Sequence, residues 1–297
     1  MGLRKVSMPM KAKAHSADAG SIPASSIPII KRNQSKLTQK RKIIMQNFFS
    51  NNNGFSSIIN TNNQDNTMNK SRYDNNSLDE TNSAPRCPVV LLLDISGSMS
   101  GAPINELNQG LQQFINETAE DEAASMSVEL EVITFDSSAN VAMPFTPICD
   151  VDRNPAPLVA SGSTAMGAAL DLAAKDLKTR RRMYRNAGIS SYRPWVVLMT
   201  DGGPNDYWQG PADQMRRLGE EGKIQYIGIE IGPGADHATM CQILPAQPGP
   251  VKLQGLRFKQ FFRWLTDSLR SVSSSAVSNQ NNVQLGSIRS WADLAGM

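Results

Sequence analysis

Two short apolar runs, each ending at an aspartate, constrain this chain more than any other feature. Val89-Val90-Leu91-Leu92-Leu93 leads into Asp94, and Trp195-Val196-Val197-Leu198-Met199 leads into Thr200-Asp201. Uninterrupted apolar runs of this length, bounded by turn residues, read as strands buried on both faces in a helix-covered parallel sheet. An aspartate where such a strand stops lies at the carboxyl edge of the sheet, which is where open α/β sheets bind their ligands.

The intervening pattern fits that frame. Pro103 suits the first turn of a helix, and Ile104, Leu107, Leu111, Phe114 and Ile115 recur at helical spacing to about Thr118. Val128, Leu130 and Val132 alternate with Glu129 and Glu131, which predicts a strand with one face near solvent, and Asn140–Phe145 would return antiparallel at the edge. A helix from Thr164 carries a small-residue face of Ala165, Ala168, Ala169, Leu172 and Ala173, which lets it lie close on a sheet. Ala212–Leu218 starts another helix, Ile224–Ile231 and Val251–Leu253 read as strands, and Phe258, Phe261, Phe262, Leu265, Leu269 and Val272 mark a closing amphipathic helix. Strand alternating with helix predicts an α/β fold with a doubly wound, mostly parallel sheet and one antiparallel edge strand. The expected organisation is a disordered basic and Asn-rich arm over 1–85, one domain over 86–275 and a polar tail over 276–297.

Three separated fragments place oxygen donors on the same rim: Asp94-Ile95-Ser96-Gly97-Ser98, Gly162-Ser163-Thr164 and Thr200-Asp201-Gly202. Three hydroxyls and two carboxylates form a hard donor set suited to Mg²⁺ or Mn²⁺. Ser96 and Ser98 stand two apart on a tight loop, with Gly97 permitting the turn. The predicted metal residues are Asp94, Ser96, Ser98, Thr164 and Asp201. Gly97, Ser163, Asn205 and Asp206 are the predicted partner-binding rim, although Asn205 and Asp206 also fit a simple turn closure.

The three phrases resemble the metal-ion-dependent adhesion site of von Willebrand factor A domains, which reads Asp-x-Ser-x-Ser, then Thr, then Asp. The resemblance implies that Asp94 and Asp201 act largely through bound water. It also implies that a coordination position stays open to a Glu or Asp of a partner protein. Cys87 through Gly101, Arg181-Arg182-Met183-Tyr184 through Tyr192-Arg193-Pro194-Trp195, and Phe258 through Leu265 resemble the bacterial TerY/YegL-type branch of that family. That branch is associated with tellurium-resistance and stress gene clusters, often beside a protein kinase and a PP2C-like phosphatase. It implies a non-enzymatic scaffold in such a complex. Some relatives carry a cysteine-rich module at the C-terminus that this chain lacks.

Charge and cysteine usage narrow the rest. Residues 1–86 hold 13 Lys and Arg against 5 Asp and Glu, whereas residues 87–297 hold 17 against 22. A basic arm therefore precedes an acidic body, and the arm could meet nucleic acid or an anionic surface, or be inert, with translation starting near Met45 or Met68. Cys87, Cys149 and Cys241 form neither a zinc spacing nor a disulfide framework and are read as reduced thiols. The basic run Lys178, Arg180, Arg181, Arg182 and Arg185 is read as a solvated helix end, with a docking patch for an acidic partner as the alternative, and His237 as a surface helix residue. No run reaches the ~18 apolar residues of a membrane span, and neither a secretion signal nor a myristoylation pattern is present, so a cytoplasmic location is expected. The enzymatic alternative makes Asp94 the nucleophile of a phosphotransferase or hydrolase. Ser96 then stands where such enzymes need a second aspartate as acid–base.

Overall fold

The computed structural model describes residues 78–79 and 81–294. Nearly all of the expected basic arm lies outside the described residues. Seven strands form one sheet: β1 (Cys87–Asp94), β2 (Val128–Phe135), β3 (Ala139–Pro147), β4 (Trp195–Thr200), β5 (Gln225–Glu230), β6 (Pro250–Leu253) and β7 (Ala292–Leu294). Their order is β3-β2-β1-β4-β5-β6-β7. Pairing is parallel from β2 through β6 and antiparallel at both edges, β2 with β3 and β6 with β7. The sheet therefore carries two antiparallel edge strands, one more than the sequence predicts.

Among the described residues six helices cover the two faces: α1 (Ala102–Glu120), α2 (Glu122–Ser127), α3 (Met166–Asn186), α4 (Gln209–Glu220), α5 (His237–Ile243) and α6 (Phe258–Ser273). Successive side chains of a strand point to opposite faces, and β1 divides its apolar run accordingly. Val89, Leu91 and Leu93 join a core with Leu107, Phe114, Phe261 and Phe262, while Val90 and Leu92 join one with Leu170, Leu198 and Met215. The uninterrupted apolar runs are thus explained by helices on both sides.

Two differences from the sequence reading have one cause, which is long-range pairing. β2 has no solvent face: Glu129 and Glu131 are each only 2% exposed. Glu129 is neutralised by Arg86 Nε at 3.3 Å and Arg180 Nη2 at 2.6 Å, and it also accepts from the Tyr184 hydroxyl. Arg180 therefore leaves the expected solvated basic run and lies buried beneath the sheet end. The chain also does not end its packing at 275. Short 3₁₀ turns over Val277–Asn282 and Ile288–Ser290 lead to β7, and Trp291 enters the core at 1% exposure. The expected polar tail is polar on its outside only. No described helix is long and apolar enough to cross a membrane.

Candidate metal-ion site

Strand order reverses between β1 and β4, since the chain builds outward from β1 to β3 on one side and from β4 to β6 on the other. Such a switch point leaves a crevice at the carboxyl ends of the two strands. Asp94 ends β1, and Asp201 directly follows β4. The topology thus brings the two aspartates together before any side chain is considered.

Hydrogen bonds then close three loops on each other. Asp94 is fully buried; its Oδ1 accepts from the Ser96 backbone N–H at 2.8 Å, and its Oδ2 from the Thr200 hydroxyl at 2.6 Å. Ser96 Oγ lies 3.0 Å from Ser98 Oγ, and the Ser98 hydroxyl donates to Asp201 Oδ1 at 2.7 Å. The loop holding Thr164 is tied to the first by Gly97 N–H to Gly162 O at 3.1 Å and by Ser161 N–H to Ile95 O at 2.7 Å. It is tied to the third because the Thr164 N–H donates to Asn205 Oδ1 and the Asn205 N–H donates to Thr164 O, both at 2.9 Å.

The nine residues singled out by sequence therefore share one rim. Gly97, Ser98 and Ser163 are exposed on it, while Ser96 and Thr164 sit just beneath. Asn205, itself exposed, and the half-buried Asp206 brace the Thr164 loop and the start of α3. Asp206 accepts from the Gly167 and Ala168 N–H groups at 2.9 and 2.8 Å, so a residue outside α3 caps its first turn. Two contributors were missed. Thr200 fixes Asp94, and Ser137 supports Ser163 through its hydroxyl at 3.2 Å from the Ser163 N–H. Thr200 stood within the Thr-Asp-Gly phrase but read as the last residue of a strand. Gly162 adopts φ +70, and a Cβ there would lie 2.6 Å from Ser137 Oγ, so the close approach of these loops requires glycine.

The electrostatics favour a cation. Burial pushes the Asp94 carboxyl above its ordinary range, hydrogen bonds from Ser96 and Thr200 pull it back, and the nearby Asp201 charge raises it again. Among the described residues no lysine or arginine forms an ion pair with Asp94 or Asp201. The Thr164 hydroxyl has no hydrogen-bond partner among them either. No three His, Cys, Asp or Glu side chains cluster as a metal cage among the described residues, so neutral hydroxyls make up most of this donor set. Hard oxygens, two carboxylates without a counter-charge and a free hydroxyl fit a small hard dication.

Residues 89–252 match the family model described as von Willebrand factor type A domain. The chain belongs to that family. Solved structures similar to this von Willebrand factor type A protein include the pilus adhesin SpaC of Lactobacillus rhamnosus GG, 12% identical over 63% of this chain and 30% of that one, with a TM-score of 0.51. A von Willebrand factor type A structure from Catenulispora acidiphila is 20% identical over 63% and 43%, with a TM-score of 0.47. The manganese-loaded TRAP protein of Plasmodium vivax is 22% identical over 61% and 73%, with a TM-score of 0.44. The first solved structures matched are spanned over less than half their own length, 43% to 48%. At 12% identity the likeness to SpaC speaks for the fold alone. No curated protein matches the chain.

Proposed function

We propose that this chain is a divalent-cation-dependent protein-interaction module. Ser96, Ser98 and Thr164 would hold Mg²⁺ or Mn²⁺ directly, and Asp94 and Asp201 largely through water. A Glu or Asp of a partner protein completes the shell. The observation that carries this reading is the hydrogen-bonded line Thr200–Asp94–Ser96–Ser98–Asp201, which delivers two carboxylates without a described counter-charge to one rim beside the free hydroxyl of Thr164. When bound, the cation supplies an electron-poor coordination position for an incoming carboxylate. The protein's own contribution is preorganisation: Thr200 and the Ser96 N–H fix Asp94, Asn205 fixes the Thr164 loop, and Gly97 and Ser163 leave the rim low enough for a partner to approach.

The same geometry supports a non-enzymatic role. Both oxygens of Asp94 are engaged by hydrogen bonds, which orients the carboxylate as a brace rather than freeing it for nucleophilic attack. The resemblance of the Cys87–Gly101, Arg181–Trp195 and Phe258–Leu265 segments supports a TerY/YegL-type scaffold in a bacterial, cytoplasmic tellurium-resistance or stress complex. A protein kinase or PP2C-like phosphatase is then the partner class.

The test is calorimetric titration of Mg²⁺ and Mn²⁺ into the full chain, alongside Asp94→Ala and Ser96→Ala with circular dichroism as the fold control. Saturable binding in the wild type, abolished in both variants with the fold retained, is expected. Equal affinity in wild type and Asp94→Ala overturns the reading. A magnesium-dependent pull-down from the native host, with Asp94→Ala as control, identifies the partner.

A further inference from the structure

A second cluster of polar side chains lies on the same sheet edge. Glu230 ends β5, and its side chain is only 4% exposed. Its Oε1 lies 2.7 Å from Nδ1 of His237, the first residue of α5. On the other side of the ring, His237 Nε2 lies 3.4 Å from Sγ of Cys241, one helical turn further along. Carboxylate, imidazole and thiol thus stand in line, and the thiol end is exposed.

The line has a defined polarity. A buried carboxylate accepts the Nδ1–H, which leaves the Nε2 lone pair facing the thiol. Glu230 has no Lys or Arg ion pair among the described residues; the half-exposed His237 is its one described side-chain hydrogen-bond partner. A carboxylate removed from water in this way needs a positive charge close by. The spacing of the outer two donors specifies what kind of charge fits. Zinc takes sulfur at about 2.3 Å and nitrogen at about 2.0–2.1 Å, so two donors on one tetrahedral ion lie about 3.6 Å apart. The observed 3.4 Å hydrogen-bond contact is close to that separation. A carboxylate on the far nitrogen is the usual outer support of a metal-bound histidine.

We propose that His237 Nε2 and Cys241 Sγ form a site for a soft divalent cation of the zinc class, with Glu230 as the positioning residue that orients the imidazole. The remaining coordination positions open outward to water or to a donor from a partner. This site differs in kind from the hydroxyl site, because sulfur and imidazole select zinc-like ions and not Mg²⁺. The two sites are neighbours: the Asp236 N–H, directly before α5, points to Gly202 O at 3.5 Å, next to Asp201.

Co²⁺ serves as the probe, since only a thiolate ligand produces its near-ultraviolet sulfur-to-metal charge-transfer band, and a hydroxyl site is silent there. The full reduced chain titrated with Co²⁺ is expected to develop that band to saturation at one equivalent, and Zn²⁺ is expected to displace it. Cys241→Ser should abolish the band, whereas Cys149→Ser, which removes the other exposed thiol, should leave it intact. Glu230→Gln should weaken Co²⁺ binding by about 10- to 100-fold through the lost outer support. No band in the wild type, an unchanged band in Cys241→Ser, or unchanged Co²⁺ affinity in His237→Ala each overturns the site.

Discussion

Ser98 donates its hydroxyl hydrogen to Asp201 Oδ1 at 2.7 Å, joining positions 103 residues apart across the switch point of the sheet. A bond to a carboxylate is stronger than one between neutral groups, yet Ser98 is exposed, so water can replace it at little cost in stability. Ser98→Ala should therefore unfold in EDTA within about 0.5 kcal/mol of the wild type. Excess Mg²⁺ separates the two proteins. A cation present at 100 times its dissociation constant stabilises the wild type by about 2.7 kcal/mol, and Ser98→Ala should lose most of that gain. Thermal unfolding with and without Mg²⁺ reads both quantities. An equal Mg²⁺-induced shift in the variant would contradict a ligand role for Ser98.

Gly167 makes a prediction of the opposite kind, where stability and cation response fall together. A Cβ at this position would lie 2.2 Å from Tyr207 O and 2.7 Å from Trp208 Cα, both backbone atoms that cannot swing aside. Its N–H is also one of the two that Asp206 accepts. Gly167→Ala should cost about 1–3 kcal/mol by overpacking. It should also weaken Mg²⁺ binding, because the displaced loop carries Asn205, which holds Thr164. Urea unfolding and calorimetry on the same sample would show whether both effects appear.

How much of this was legible in the sequence depends on how far apart the interacting groups are. Hydrophobic period is a local signal, and it located every strand from β1 to β6. The donor phrases were legible because each is contiguous, and the first and third each follow a strand. Glu129 was misread because alternation of apolar and charged residues looks the same whether the charge meets water or a buried arginine 51 residues away. β7 was missed because three residues after a long polar stretch carry no periodicity. His237 was correctly placed on a helix, but nothing local reveals that Glu230 and Cys241 flank its ring.

Glu129, Arg180 and Tyr184 form a buried ionic knot in which each partner depends on the others. Arg180 contributes Nε at 2.7 Å and Nη2 at 2.6 Å to the same carboxylate oxygen and stacks 5.6 Å from the Phe145 ring. Removing Arg180 leaves the buried Glu129 carboxylate with one described cation, Arg86 Nε at 3.3 Å, so Arg180→Ala should cost about 3–5 kcal/mol. Tyr184→Phe removes only a hydroxyl donor and should cost about 1–3 kcal/mol. Urea denaturation midpoints would rank the two, and a neutral Arg180→Ala would refute the burial of this network.

Cys87 gives the chain an alkaline limit. Burial, with a smaller contribution from the Glu129 charge, pushes its thiol up to about 12 from an ordinary value of 9.0. The unfolded thiol ionises near 9 and the folded one does not, so the unfolded state gains as pH rises. The stability contributed by the protonated thiol is complete below pH 9 and is lost progressively between 9 and 12, at about 1.4 kcal/mol per pH unit. Cys87→Ala should show a correspondingly shallower loss of unfolding free energy across that window. In the native wild type, thiol reagents at neutral pH should label Cys149 and Cys241, which are exposed, and spare Cys87.

The C-terminal segment should prove part of the domain. Trp291 stacks edge-on against Phe261 at a centroid distance of 5.0 Å and lies 5.3 Å from Trp264, while β7 pairs with β6. The connection is anchored on the way: the Tyr192 hydroxyl donates to Ser275 O at 2.7 Å and Trp264 Nε1 to Gly286 O at 2.8 Å. Trp291→Ala should therefore cost about 3–5 kcal/mol. Trp291 Nε1 is buried with no hydrogen-bond partner among the described residues, so the indole N–H is a cost rather than a gain. Trp291→Phe, which keeps the ring contact and removes that N–H, should accordingly retain most of the stability that alanine loses. Ending the chain after Ser275 strips the cover from Phe261, Trp264 and β6 together and should lower the urea midpoint at least as far as Trp291→Ala. An unchanged midpoint in the shortened chain would mean that α6 closes this face of the sheet unaided.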